Sequence, residues 1–367
     1  MKKILLALMI CILSFQFIYA QDVNEEIPSS TENAVILDCS KIQKVKISEG
    51  YTEAYQYVKL KVMSGKYKGK IYEIDHSIPD NSTFAIPVKV GDKVIIDVEE
   101  ENNHVNIVIT EYMRQHYIIY LYIIFILLII LIGRKKGIKA VITLTLTILA
   151  ILKVLLPMIL KGVNPIPITI FISIGITILT MVIIAGVNSK SIAGIIGTSG
   201  GVIIAGIIAY YIGSQVKLTG MSSEEANMLL FIPQKINFDF KDLLFSGMIM
   251  GALGAVMDIG MSISSSIEEI HKANPSMSTK ELFRAGMNVG TDVMGTMTNT
   301  LILAYTGSSI PLLLLFMAYE TSIVKILNLD IIATEVVRSL AGSIGLVLTI
   351  PLTAIVASVL IKREKKS

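Results

Sequence analysis

Two stretches decide the fold: LLFSGMIMGALGAVMDIGMSISSSIEEI at residues 243–270 and RAGMNVGTDVMGTMTNTLILAY at residues 284–305. Each is apolar and exceeds the roughly 20 residues that a helix needs to cross a membrane. The connector between them, HKANPSMSTKELF at 271–283, is polar and is predicted to lie in the cytoplasm. Each predicted helix carries one aspartate in its middle, Asp258 in the first and Asp292 in the second.

Small and polar residues recur in both helices at intervals of three or four. In the first helix the intervals are 4, 3, 4, 4 and 3, along Gly247, Gly251, Gly254, Asp258, Ser262 and Ser265. In the second helix they are 4, 3 and 4, along Asn288, Asp292, Gly295 and Asn299. This spacing places each set on one face of its helix. Glycine in such a stripe allows close helix packing, which is the role predicted for Gly247, Gly251, Gly254 and Gly295.

The two aspartates are predicted to lie at similar depth in the membrane. At 1.5 Å per residue, Asp258 is about 15 Å above Glu268 and Asp292 about 12 Å above Arg284. An ionisable group at such depth normally faces a bundle interior or water and has a function. We therefore predict a polar core site that binds a cation or proton, formed by Asp258, Asp292, Asn288 and Asn299. In the alternative, each aspartate separately hydrogen-bonds a neighbouring Ser or Thr and only fixes packing.

The composition supports a membrane protein. Of 367 residues, 53% are hydrophobic and 17% charged, and the mean hydropathy is +0.68. These values indicate a polytopic membrane protein and not a soluble enzyme. A net charge of +3 gives no case for nucleic-acid binding. Of the two cysteines, Cys11 lies in the N-terminal leader and Cys39 beyond it, so no intrachain disulfide is expected in the mature protein.

The N-terminal third is predicted to lie outside the cytoplasm. Residues 1–20 have the pattern of a signal peptide or an uncleaved signal anchor, because two lysines precede the apolar run ILLALMICIL. Residues 21–116 form the predicted extracytoplasmic β domain. Its β-prone runs, including FAIPVKV at 84–90, predict five or six strands in a small OB-like barrel. His76 and His104 are interpreted as surface histidines.

Residues 117–361 are predicted to form an α-helical membrane bundle of seven or eight spans, followed by a basic tail at 362–367. The GRKKGIK turn at 133–139 is the strongest sign of a cytoplasmic loop, by the positive-inside rule. The predicted apolar segments outside the opening stretch are 117–132, 138–160, 165–186, 191–212, 310–327 and 340–361. The glycine-rich segment 191–212 is expected to pack closely against a neighbouring helix. Residues 310–327 are predicted not to span fully, which leaves the basic tail in the cytoplasm.

Four tracts of the chain resemble a known family. They are GALGAVMDIGMSISSSIEEI, FRAGMNVGTDVMGTMTNTLILAYTG, YETSIVKILN and EVVRSLAGSIGLVLTIPLTA. They resemble the YibE/F family of bacterial membrane proteins over residues 117–361, and the β domain is of the type found in longer members. The resemblance implies a multi-pass protein of the bacterial cell membrane. It supplies no catalytic, cofactor or metal-binding residues.

Transport is the function that the sequence favours. The chain lacks the GxxxxGK[ST], HExxH and CxxC signatures, and the surroundings of Asp258 and Asp292 differ from the YD and GxGD motifs of intramembrane aspartyl proteases. We expect no enzyme activity and no cofactor. The protein is predicted to move a small solute or ion, with proton coupling as an option. The alternative is a non-transporting membrane scaffold whose ectodomain recruits an envelope protein partner.

Overall fold

The computed structural model describes residues 29–48, 51–79, 85–101, 104–232, 236–319 and 322–364. These residues form two compact units, 29–128 and 129–364. The predicted leader at residues 1–20, the cysteine within it and the last three residues of the basic tail lie outside the described residues.

The first unit contains a curled antiparallel sheet. Its strands are β1 Ser29–Cys39, β2 Gln43–Ser48, β3 Tyr51–Val62, β4 Ile71–Pro79, β5 Lys93–Glu101 and β6 His104–Tyr112. The strand order is β2-β3-β1-β5-β6, with β4 also paired to β3, and β4 contacts β6. Alternate side chains along the strands form the core, as the period of a half-buried strand requires. Ile36, Leu60, Val94 and Ile96 are each at most 1% exposed.

The strand predicted at 84–90 is not formed. Its described part, residues 85–90, contains no strand, since Pro87 has no backbone N–H to give to a sheet. The side chain of Gln56 on β3 takes the place of a partner strand. Its Oε1 accepts from Val88 N at 2.9 Å, and its Nε2 donates to Val88 O at 3.0 Å and to Ser40 O at 3.1 Å. Gln56 is 4% exposed, so these bonds are shielded from water.

Gln56→Leu is expected to destabilise the β unit by about 2–4 kcal/mol, because buried backbone groups of Val88 and Ser40 lose their partners. The measurement is the urea midpoint of residues 29–112 expressed alone, which should fold without metal or disulfide. Gln43→Leu is the matched control, since Gln43 is exposed on β2. If Gln56→Leu lowers the urea midpoint no more than Gln43→Leu does, this account is contradicted.

His76 is buried, so its interpretation as a surface residue is wrong. It is 6% exposed, and its Nε2 lies 2.8 Å from Ile86 O, to which it can donate a hydrogen bond. Burial lowers the pKa of His76 below its ordinary 6.5, and the hydrogen bond to Ile86 opposes the change only in part. The neutral imidazole therefore stabilises the domain fully above pH 6.5, and that contribution is lost as the pH falls through the lower folded pKa.

The other regular elements of the described chain are helices. They are α1 Gln115–Ala150, a π-helical turn Ile151–Leu155, α2 Leu156–Ile159, α3 Pro165–Ala185, α4 Ser189–Gln215, α5 Glu224–Met228, α6 Phe240–Ala273, α7 Thr279–Ser308, α8 Ile310–Ala318, α9 Ile323–Leu327 and α10 Asp330–Glu364. Among the described residues, five helical runs are long and apolar enough to cross a membrane, or six if the bent α7–α8 pair counts as one. The predicted seven or eight spans are therefore not confirmed.

The first two predicted spans belong to one helical run, Gln115–Ile159, with a break at Arg134. Arg134 has φ 47° and ψ −125°, far from helical values. An ideal Cβ on Gly137 would lie 2.2 Å from Ile129 O, although a straight helix separates residues eight apart by about 12 Å along its axis. The backbone therefore turns sharply within GRKKGIK, where the sequence predicted a loop.

The segment 310–327 does not form a span of its own. It contains α8 and α9, of 9 and 5 residues, and α8 is bent by 60° from α7. Neither helix approaches the roughly 20 residues that a membrane crossing needs. The last span is longer than predicted, because residues 330–339 continue the same helix, α10.

The glycines of α4 make the close contacts expected of segment 191–212. An ideal Cβ on Gly197 would lie 1.9 Å from Thr353 Oγ1, and one on Gly201 would lie 1.8 Å from Thr349 Oγ1. Both threonines are on α10, which also packs against α6 and α7. Helix α10 thus lies at the centre of the second unit, and small residues let its backbone come near α4.

Polar contacts tie helix termini together at each end of this bundle. At one end Lys190 of α4 forms an ion pair with Glu268 of α6 at 2.6 Å, and Lys362 of α10 donates to Met277 O, in the α6–α7 connector, at 2.7 Å. At the other end, Thr219 Oγ1 donates to Asp330 Oδ2 at 2.5 Å. The end of α10 and the α6–α7 connector therefore lie on the same side of the bundle.

Candidate functional site

Asp258 and Asp292 lie at matching heights on antiparallel helices. Asp258 is 15 residues before the end of α6 at Ala273, and Asp292 is 13 residues after the start of α7 at Thr279. These separations correspond to about 22 and 20 Å of helix. Because the short connector joins those two helix ends, the carboxylates lie at the same depth to within about one helical turn.

The polar stripe of α7 faces away from the other described helices. Helix α7 packs through Leu282, Gly286, Gly290 and Leu301, which are buried. Asp292 follows Gly290 by two residues and so points about 200° around the helix from it. The whole stripe is exposed, namely Asn288, Asp292, Gly295 and Asn299.

The stripe of α6 also faces outward. Val256 and Ile259 are at most 1% exposed and pack in the bundle core, whereas Asp258 between them is exposed. The exposed members are Gly247, Gly251, Gly254, Asp258 and Ser262, while Ser265 is half-buried. The described residues therefore do not enclose the two carboxylates in the polar core site that the sequence predicted.

Within the described chain, three of the four stripe glycines do not make the predicted close packing. An ideal Cβ on Gly247, Gly254 or Gly295 would meet no atom within 4 Å, and one on Gly251 would meet the Tyr305 hydroxyl at 2.7 Å. Other glycines of the same helices make the close approaches, such as Gly290 against Ile350 at 2.2 Å. The stripes therefore present open, small-residue surface.

The hydroxyl groups beside Asp292 bond to their own helix. Thr291 Oγ1 donates to Met287 O at 2.8 Å, and Thr296 Oγ1 donates to Val293 O at 2.9 Å. Among the residues that the structure describes, neither Asp258 nor Asp292 accepts a hydrogen bond or forms an ion pair. The packing alternative, in which each aspartate bonds a neighbouring Ser or Thr, is thus not seen in the described residues.

A polar group that sequence reasoning missed lies near the far end of α7. Arg338 Nη1 donates to Glu335 Oε1 at 2.7 Å, and the guanidinium carbon of Arg338 is 6.0 Å from the centre of the Tyr305 ring. The Tyr305 hydroxyl lies against Gly251 and so joins this group to the α6 stripe. An acidic and a basic residue three apart in the apolar tract EVVRSLAGSIG were the available signal.

Comparison with known families finds two matches that together cover most of the chain. A family model described as "YibE/F-like protein" matches residues 121–363, and one described as "YibE/F family N-terminal domain" matches residues 29–112. No curated protein and no solved structure gives a significant match.

Proposed function

The chain belongs to the YibE/F family. We propose that it carries a small solute or ion across the cell membrane along the α6 and α7 stripes. One observation supports this proposal above the others. Two carboxylates, Asp258 and Asp292, are exposed at the same depth on helices of 34 and 30 residues.

Lipid is an unfavourable environment for the side chains of Asp258 and Asp292. A carboxylate at the centre of a bilayer costs roughly 2.5–3.5 kcal/mol even on the most lenient scale. Asn288 and Asn299 would add unsatisfied amides on the same face of α7. A water-containing path bordered by both stripes avoids these costs. Within it, a proton or cation shared by the two aspartates would relieve their mutual repulsion.

A second copy of the chain supplies the other wall of the path in this proposal. Two copies insert in the membrane the same way up, so a twofold axis along the membrane normal brings residues of equal depth together. The stripes would then present the carboxylates of Asp258 and Asp292 near the amide donors of Asn288. The open space at Gly247 and Gly254 allows the helices of the two copies to approach closely.

Gly254→Cys is expected to form a disulfide-linked dimer in a chain carrying Cys11→Ser and Cys39→Ser. A disulfide needs Cα atoms within about 7 Å, which only a close helix pair provides. Dimer is measured on non-reducing gels after mild oxidation in membranes. Phe171→Cys is the control, because Phe171 is 73% exposed on α3 and apolar. If the Gly254→Cys variant stays monomeric, or if both variants form equal amounts of dimer, the second copy does not pack against the α6 stripe.

The β unit is proposed to be an OB-like barrel outside the cytoplasm. Leaving out the short β2, the strands follow one another as β4-β3-β1-β5-β6, and the contact between β6 and β4 brings the two edges together. The extracytoplasmic location follows from the basic GRKKGIK turn, since positively charged loops favour the cytoplasm.

Flux into proteoliposomes tests the proposed function. The purified chain is reconstituted with an entrapped pH dye or cation indicator, and a potassium diffusion potential drives uptake. Wild-type protein should carry protons or a monovalent cation faster than empty liposomes. Under the scaffold alternative, flux would equal that of empty liposomes, and the protein would tolerate Asn at both aspartate positions.

A further inference from the structure

An open cavity lies where β6 leads into α1. It has a volume of about 440 Å³, and it is bordered by the turn before β5, the end of β6 and the first turns of α1. Met113 N donates to Lys93 O at 2.9 Å, which holds the start of β5 beside the residues that lead into the helix. All residues that border the cavity belong to the first unit, so the cavity is formed within one compact body.

Two basic residues border the cavity, and both are exposed. The side chain of Arg114 is 62% exposed, its Nη1 donates to Glu111 Oε2 at 2.5 Å, and its guanidinium carbon is 5.6 Å from the centre of the Tyr112 ring. A guanidinium has five N–H donors in a planar fork, so Arg114 keeps donors for a second acceptor. Lys93 is exposed, and its ammonium has no acidic partner among the residues that the structure describes.

The charge around the cavity favours an anion. One carboxylate, that of Asp92, stands against the two cations, and its Oδ2 accepts from Lys89 N at 2.8 Å. The pair between Glu111 and Arg114 is exposed, and exposed pairs are weak because both groups remain hydrated. The first turn of α1 also borders the cavity, and its backbone N–H groups add partial positive charge.

The position of the cavity along α1 indicates a lipid as the source of that anion. Residues 117–132 carry no charged side chain and extend about 24 Å, close to the hydrocarbon thickness of about 30 Å. Arg114 precedes this segment by three residues and therefore lies at a membrane surface. Tyr117 and Tyr120 border the cavity and are 79% and 59% exposed, and tyrosine is enriched at the level of lipid headgroups. The cavity thus lies at the depth of lipid phosphates.

We propose that this cavity binds the headgroup of an anionic phospholipid that carries one net negative charge. Arg114 and Lys93 bind the phosphate, and Tyr117 and Tyr120 pack against the glycerol and the first part of the acyl chains. A zwitterionic headgroup fits less well, because its ammonium would lie beside the same two cations. The volume of about 440 Å³ is within the range of ligand sites, about 300 to 1,000 Å³. The site is independent of the proposed transport path.

Quenching of a single tryptophan by brominated lipids tests the proposal on the full-length chain. The chain contains no tryptophan, so Tyr120→Trp places a reporter at the cavity, and Phe171→Trp places one on α3, at a residue that is 73% exposed. Each chain is reconstituted in bilayers of phosphatidylglycerol and phosphatidylcholine, with brominated acyl chains on one lipid or the other. The ratio of the two quenching levels gives the relative affinity for phosphatidylglycerol.

The Tyr120→Trp reporter should prefer phosphatidylglycerol by about fivefold or more, the contribution of about one basic side chain at a membrane surface. The Phe171→Trp reporter should show a preference below about twofold, since no cluster of cations borders an apolar position on α3. Equal quenching by the two lipids at the Tyr120→Trp reporter would overturn the proposal.

Lys93→Gln together with Arg114→Gln should reduce the preference at the Tyr120→Trp reporter to less than about twofold, because both phosphate-binding groups lose their charge. Lys41→Gln together with Lys68→Gln is the matched control. It removes the same charge from exposed residues of the β unit that do not border the cavity, and it should keep the full preference. A preference that survives loss of Lys93 and Arg114, or one that the control pair also loses, would overturn a defined site.

Soluble glycerophosphoglycerol distinguishes a lipid from a free phosphate ester. It has the phosphodiester of phosphatidylglycerol without the acyl chains, and it is added at the concentration of the bilayer lipid. The preference of the Tyr120→Trp reporter should persist, because the acyl chains hold the lipid at the cavity. Loss of the preference would mean that the cavity takes soluble phosphate esters and would overturn its assignment to a lipid.

Discussion

Replacing Asp258 or Asp292 with Asn is expected to reduce proteoliposome flux by about 100-fold or more, the scale on which proton-transferring groups contribute. Asn keeps the size of the side chain but cannot release or bind a proton near neutral pH. If the two carboxylates act as a unit, each single change should abolish flux and the double change should cost little more. Flux is measured at equal amounts of reconstituted protein.

Asp239→Asn is the control for this series. Asp239 caps the N-terminus of α6, where its side chain accepts from Lys241 N and Asp242 N at 3.0 Å each. Asn caps a helix about as well as Asp, so folding and flux should be retained. Wild-type flux in the double variant would end the proposal and favour the scaffold. If the fold loss of flux in the double variant equals the product of the two single losses, the two carboxylates act independently.

Gly201→Leu is expected to prevent folding of the bundle, with a cost above about 3 kcal/mol, the upper range for overpacking. A Cβ there would lie 1.8 Å from Thr349 Oγ1 and 2.9 Å from Gly345 O, so a backbone atom as well as a side chain would have to move. The α4–α10 contact is at the centre of the bundle and cannot open without moving α6 and α7. Folded protein is measured by gel filtration after extraction from membranes.

Gly254→Leu is the matched variant on α6. No atom of the described residues lies within 4 Å of an ideal Cβ on Gly254, so the variant should reach the membrane and fold as wild type does. The leucine side chain should keep the α6 helices of two copies apart, and flux should therefore be lost. Loss of folding equal to that of Gly201→Leu would mean that the α6 stripe packs within the chain. Full flux would mean that the stripe needs no partner.

The sequence predicts the elements better than the direction in which they face. The spacing of glycines on 191–212 predicted close packing, and Gly197 and Gly201 do pack against α10. The same pattern on α6 gave the same expectation, yet Gly247 and Gly254 face outward. Both faces of α6 consist of small or apolar residues, so periodicity finds two stripes without telling which one the neighbouring helices cover.

Local interactions explain two other differences between the structure and the sequence-based expectations. FAIPVKV is rich in β-prone residues, but Pro87 and the side chain of Gln56, distant in sequence, make its described part an irregular segment. Helix α10 begins about ten residues earlier than predicted, because the charges of Glu335 and Arg338 pair with each other and so become compatible with a helix. The depth match of Asp258 and Asp292 depends only on helix length and a short connector, which is why the sequence could predict it.

Water access along the α7 stripe tests the central claim most directly. Cysteine is placed at Asn288 or Asn299, and for comparison at Phe171, in the chain carrying Cys11→Ser and Cys39→Ser. Each variant is then treated in membranes with a water-soluble methanethiosulfonate. Because the reagent attacks the thiolate, which forms only in water, the stripe positions should react about tenfold or more faster than position 171. Reaction at Asn288 and Asn299 as slow as at Phe171 would place the stripe in a dry environment and contradict a transport path there.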